Sequence, residues 1–234
     1  MDSLPIVVSP RYTATIPSSG KKVEFRPFTI KEEKILLIAN ESEDQFQIME
    51  ALKDVVRACT FDRVNINVLT GYDFQYLFLK IRAKSVGETS EITLKCPECE
   101  AKNPVTINLD KVEVVSYPDQ PDPKFQINDS IGIVLRIPQI KDIRELDFSS
   151  PEKSFNSGVA SLIEQIYTKD KTLNLSDYSQ DEVYKFIDSL PHSALEYIQR
   201  YVAKQPVLME VVKYKCIGCG KEIKEELKGL ASFF

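Results

Sequence analysis

From Thr29 to Ile81 apolar side chains recur at intervals of three and four, and the pattern predicts three successive helices. Thr29 with Glu32, and Ser42 with Gln45, fit capping boxes, so the first two are expected near 30–39 and 43–59. In the second, Ile48, Leu52, Val55, Val56 and Cys59 form one stripe; in the third, Phe74, Leu77, Phe78 and Ile81 repeat it. Before them, residues 1–28 are rich in Pro, Ser and Gly around short β-prone runs such as Lys22 to Phe28, and read as an extended arm with a strand pair.

The period then changes from helical to alternating. Ile92 and Leu94 alternate with polar residues up to Cys96, and the alternation resumes after Cys99 at Val105, Ile107 and Leu109, which reads as strand, knuckle, strand. Beyond Pro118, Pro121 and Pro123 a hairpin is expected, with Phe125 and Ile127 on one side, Ile131, Ile133, Leu135 and Ile137 on the other, and Asn128-Asp129-Ser130 as its turn. Helical spacing returns with Phe155, Val159, Leu162, Ile163 and Ile166 on one face. It continues with Val183, Phe186, Ile187 and Leu190 behind the cap Ser179 and Glu182, and a last helix runs from about Ser193 to Lys204. Val207 to Lys215 reads as a strand, Cys216 to Cys219 as a second knuckle and Lys221 to Leu227 as its return.

Four of the five cysteines are therefore two C-x-x-C pairs, each at the end of a β-type run. Zinc prefers four tetrahedral ligands, and two such turns facing each other complete a site, so Cys96, Cys99, Cys216 and Cys219 are the expected ligands of one zinc ion. Four thiolates close the coordination sphere and leave no place for water or substrate, which makes the expected metal structural. Gly218 and Gly220 supply the permissive backbone that a tight knuckle needs. The obstacle is separation: 116 residues lie between Cys99 and Cys216, against roughly 15–20 in the usual ribbon. Loop-closure cost grows only logarithmically with length, so the ribbon tolerates a large insertion whose ends lie close together. The alternative is two independent thiol pairs, but a thioredoxin-type pair opens a helix, whereas both pairs here lead into polar residues and a return strand.

The expected fold class is α+β: a zinc-ribbon-like β unit from two distant knuckles, N-terminal helices, and an inserted, mostly helical lobe. The expected segments are 1–110 for the arm, helices and first knuckle, 111–205 for the inserted hairpin and helices, and 206–234 for the second knuckle and an apolar tail.

Composition narrows the function classes. With 234 residues, 43% of them hydrophobic, the chain can bury a substantial core. A formal charge of −5, and glutamates 98, 100, 222, 225 and 226 in and beside the knuckles, argue against nucleic acid as a partner. The N-terminus lacks the pattern of a secretory signal and no stretch is long and apolar enough for a membrane span, so a cytosolic protein with no membrane partner is expected.

No catalytic constellation and no cofactor-binding loop stand out, and a non-enzymatic protein is expected. His192, the single histidine, has no nucleophile pattern beside it, and Cys59 closes an apolar helix stripe as a small core residue. Lys80, Arg82 and Lys84 read as a solvated helix end, or else as a contact for phosphate or an acidic partner. Leu230, Phe233 and Phe234 sit at a chain end that would otherwise fray, so they either dock on their own domain or insert into a partner; the expectation adopted is that partner binding, rather than folding, depends on them.

The run F-R-P-F-T-I-K-E-E-K-I-L-L, Phe25 to Leu37, preceded by I-P-S-S-G, Ile16 to Gly20, resembles the baseplate hub assembly proteins of T4-like contractile-tailed phages. The stretch D-F-Q-Y-L-F-L-K-I-R-A-K-S-V-G-E, Asp73 to Glu88, and the late C-x-x-C near an aromatic C-terminus are similar too. The resemblance covers most of the chain and is weakest through 111–205. It implies a viral protein, made in the host cytoplasm, that helps build the tail baseplate of the virion, with other hub or tail assembly proteins as partners and no enzymatic activity. A different class of reading, a zinc-ribbon accessory factor that binds nucleic acid in late transcription, requires a basic face. A thiol oxidoreductase requires an exposed cysteine of low pKa.

Overall fold

The computed structural model describes residues 4–5, 7–146 and 149–233. It divides into two compact units, the first from Met1–Ile66, Tyr72–Val115 and Val207–Phe234, the second from Asn67–Gly71 and Ser116–Pro206.

In the first unit, β1 (Tyr12–Thr15) and β2 (Lys22–Phe25) form an antiparallel hairpin. Helix α1 (Ile30–Glu41) starts where expected: the Thr29 amide and hydroxyl both donate to the Glu32 carboxylate, at 2.8 and 2.6 Å. Arg26 binds the same carboxylate at 2.9 Å. Burial opposes the charge on Glu32, but the bonds from Arg26 and Thr29 outweigh it and hold the carboxyl down to about 2.

Helix α2 (Gln45–Cys59) is capped by Asp44, not Ser42. Asp44 accepts the amides of Phe46 and Gln47, while Ser42 closes α1 by donating to the Ala39 carbonyl, and Glu43 at φ 54° turns the chain between them. Three residues must end one helix and open the next, so each serves one end only. Val55, Val56 and Cys59 are buried as the stripe requires. Helix α3 (Gly71–Val86) buries Phe74, Leu77, Phe78, Leu79, Ile81 and Ala83, and β3 (Thr89–Lys95) pairs antiparallel with β4 (Lys102–Asn108) before the short β5 (Glu113–Val115).

The second unit carries β6 (Lys124–Gln126) and β7 (Ile131–Leu135), joined by a turn in which Asn128 Oδ1 accepts the amides of Ser130 and Ile131 at 2.9 and 3.0 Å. The single turn α4 (Asp142–Glu145) is tied to β7's end by a two-pronged Arg136–Asp142 pair. After α5 (Pro151–Leu162) the sequence expectation fails: Ile163 and Ile166, read as the end of a helix, lie in β8 (Ile163–Thr168), which pairs with β7 and with β9 (Thr172–Asn174). Isoleucines three apart fit a helix locally, but Ile166 meets Ile133 across the sheet and the Tyr167 ring lies over Gly132, so strand pairing overrides the local period. The lobe therefore holds a four-stranded antiparallel sheet, β6-β7-β8-β9, richer in strand than the expected hairpin. Helices α6 (Gln180–Asp188) and α7 (His192–Ala203) complete it, with Ile187, Ile198 and Tyr201 packed against Ile133, Leu135 and Ile163.

Back in the first unit, β10 (Val207–Lys215) pairs with β5 on one side and with β11 (Glu222–Lys228) on the other. Val105 and Ile107 from β4, Leu208 and Val212 from β10, and Leu227 from β11 share one core with Leu79 and Ala83. Phe233 is 0% exposed inside that core, and Leu230 packs against it. The expectation that the tail serves a partner rather than folding is thus corrected for Phe233, because a side chain with no exposed surface cannot anchor a second molecule; Leu230 is half-buried against the same core, and Phe234 lies outside the described residues.

A four-cysteine candidate metal centre

The two knuckles are built alike. In the first, the Cys96 amide donates to the Ala101 carbonyl and the Glu100 amide to the Cys96 carbonyl, both at 2.9 Å; in the second, the Cys216 amide meets Lys221 and the Gly220 amide meets Cys216 at the same length. The amide two residues after each leading cysteine points at its sulfur: Glu98 to Cys96 at 3.4 Å, and Gly218 to Cys216 at 3.3 Å. Each turn needs a positive φ at its fifth position. Gly220 supplies it at 72°, whereas Glu100 adopts 57° with a side chain attached. Gly218, expected to supply permissive backbone too, has no positive φ; its reason to lack a side chain is space, since a Cβ there would lie 2.8 Å from that of Ala101 and 3.2 Å from Cys99 Sγ.

These turns bring the four sulfurs within 4.8 Å of one another. Cys96 Sγ lies 3.8 Å from Cys219 Sγ, and Cys99 Sγ lies 3.6 Å from Cys216 Sγ. A tetrahedron with metal–sulfur bonds of about 2.3 Å has edges of about 3.8 Å, so these two pairs stand at ligand spacing. Cys96 and Cys216 are buried, while Cys99 and Cys219 are exposed. Amides from Cys219 and Gly218 bring the Cys216 thiol down to about 6. The Ala101 amide favours the Cys99 thiolate too, but hydrogen bonding to Cys216 and the other sulfurs outweighs it and pushes that thiol up to about 12. A readily formed Cys216 thiolate beside a Cys99 thiol that holds its proton favours a cation between the two sulfurs, since metal binding displaces that proton.

One residue of this centre went unnoticed in the sequence. Asn103, on β4 and 1% exposed, donates through Nδ2 to the Ala101 carbonyl at 2.8 Å and accepts the Ile217 amide on Oδ1 at 2.8 Å. It therefore joins the first knuckle to the second across 114 positions of sequence. Its only sequence signal is a polar side chain at an inward position of β4, between Val105 and the knuckle. An ion pair from Lys221 to Glu98 also links the turns at the surface.

The other candidates resolve simply. His192 is exposed, with Glu196 3.5 Å away on the same helix. Cys59 is 0% exposed, and burial pushes its thiol up to about 12. Lys80 and Lys84 are neither a solvated helix end nor free cations: Lys80 donates to the Asp110 carbonyl at 2.7 Å, Lys84 binds the Asp110 carboxylate at 2.8 Å and also pairs with Glu88. Arg82 reaches the Gly87 carbonyl at 3.5 Å. Among the described residues, no helix is long and apolar enough to cross a membrane.

The profile of a family described as "T4 bacteriophage base plate protein" matches residues 9–234. The chain belongs to that family. It is also 25% identical over 224 residues to the baseplate hub assembly protein gp26 of Enterobacteria phage T4, covering 95% of this chain and 97% of that one. No solved structure matches. The similarity thus runs through both units and includes the segment between the two cysteine pairs.

Proposed function

We propose that the chain is a non-enzymatic assembly protein of the phage tail baseplate hub, acting through contacts with other hub or tail assembly proteins and stapled by one structural zinc ion at Cys96, Cys99, Cys216 and Cys219. The observation that carries the assembly role is the family match over residues 9–234, supported by the full-length similarity to a hub assembly protein. The zinc reading is supported by four sulfurs within 4.8 Å of one another, two pairs of them at 3.8 and 3.6 Å, a four-thiol set suited to a closed tetrahedral site. Zinc there fastens the β3–β4 hairpin to the β10–β11 hairpin as a zinc ribbon interrupted by the inserted lobe. The protein acts in the host cytoplasm during assembly, at the site where the virion baseplate is built.

Co-expression with the hub proteins of the same phage, followed by size-exclusion chromatography and metal analysis, tests both parts. Expected are co-elution with a hub subunit and one zinc per chain. Cys216→Ser leaves three thiolates, so metal affinity falls sharply and yield of folded protein drops. A protein that elutes alone in every combination refutes the assembly role, and full stability after complete chelation refutes the zinc. Tight binding to duplex DNA at roughly 150 mM salt promotes the transcription-factor reading instead.

A further inference from the structure

Helix α1 presents an apolar face to solvent on the side opposite its packed one. Its inward side is marked by Glu32 and Ala39, which are buried. At about 100° per residue, Ile30, Lys34, Leu37, Ile38 and Glu41 fall together on the other side. Ile30, Leu37 and Ile38 are 70, 59 and 69% exposed, and Phe46, in the first turn of α2, is 58% exposed. The three α1 side chains leave on the order of 300 Å² in the open, within the range for the largest apolar patch of a monomer.

The charges on this face show what fits it. Lys34 and Glu41 are exposed, and among the described residues neither forms an ion pair. Seven residues apart on one helix, they stand about 10 Å from each other along the axis, too far to meet. The face reads apolar, Lys, apolar, apolar, Glu, and turning it end for end puts Lys where Glu was. Two copies of α1 laid antiparallel about an axis between Leu37 and Ile38 set Leu37 against Ile38 and Lys34 against Glu41, twice over, with Ile30 reaching toward the start of the other copy's α2. An isologous contact demands this self-complementarity, and a surface made for an unrelated protein does not.

We propose that this face of α1 is a two-fold interface with a second copy of the chain. The apolar centre with its charged rim matches the composition of such interfaces, and the surrounding surface of α1 and α2 is available to extend the patch toward the roughly 800 Å² per partner of a stable complex. The proposal is independent of the zinc site and of the baseplate role, since it needs only folded chain.

Sedimentation velocity and light scattering on the full-length, zinc-replete chain test it. Expected is a concentration-dependent dimer that dissociates at least tenfold more readily in Leu37→Asp, with the melting temperature of the monomer unchanged because Leu37 is 59% exposed. Lys34→Glu and Glu41→Lys each weaken the dimer, and the two together restore it to within about threefold, which a general loss of solubility or folding cannot mimic. A wild-type chain that stays monomeric up to roughly 1 mM overturns the proposal. So does a dimer indifferent to Leu37→Asp, or a double charge swap that fails to rescue. A monomer that captures a co-expressed baseplate protein, and loses it on Leu37→Asp, gives the face to that protein and overturns self-association.

Discussion

Replacing Phe233 by alanine tests whether the last residues of the chain belong to its core. The ring is 0% exposed and packs with Leu79, Ala83, Leu208 and Leu227. Truncating a fully buried phenylalanine costs about 3–5 kcal/mol, from lost transfer energy and the cavity left behind. The lower end applies here, because the ring sits on the short 3-10 turn Leu230–Phe233, which can shift to relieve the void. About 3 kcal/mol corresponds to a fall in melting temperature of about 6–12 °C for a unit of this size. Urea unfolding followed by circular dichroism, with free zinc buffered at one value, reads the change directly; without that buffer the metal's own linkage shifts both curves. Phe233→Leu keeps much of the volume and costs less, and Ile217→Ala, at a 73% exposed knuckle tip, is the neutral control. A loss below about 1 kcal/mol with an unchanged m-value refutes the reasoning and returns the tail to a partner-binding role.

Asn103→Ala removes the bond between the knuckles and leaves the Ile217 amide without this acceptor, so zinc affinity is expected to fall about 10–100-fold in a competition titration, as for other outer-shell partners of metal ligands; unchanged affinity makes Asn103 a bystander. Cys59, buried and with its thiol pushed up to about 12, reacts with thiol reagents only after unfolding in urea, and rapid labelling of the native chain contradicts that placement. Glu32 gives a pH dependence whose sign is fixed: its folded carboxyl is held at about 2, below its ordinary value of 4.5, so the stabilisation is complete above about pH 4.5 and is lost as pH falls toward 2. The difference in unfolding free energy between wild type and Glu32→Gln should shrink by about 3 kcal/mol over that window, and comparing the two at each pH cancels the acid loss of thiolate-bound metal.

The sequence by itself determined what is decided within a few residues. Thr29 with Glu32 and Ser179 with Glu182 cap their helices where the pattern put them, and Asn128 closes its turn, because each bond joins groups three residues apart or fewer. The two knuckles were legible for the same reason, each C-x-x-C turn carrying its own hydrogen bonds. That the four sulfurs meet was inferable only from valence, since nothing in 116 intervening residues states it. What the tertiary structure decided lies at long range. Ile163 and Ile166 became strand because Ile133 and Gly132 were waiting across the sheet, and Phe233 turned inward because Leu79, Leu208 and Leu227 left room for it. Asn103 became the link between knuckles because β4 happens to pass beside Ile217. Local periodicity carries no information about a neighbour 100 residues away, and a side chain's role in such a contact is set by which surface the fold brings to it.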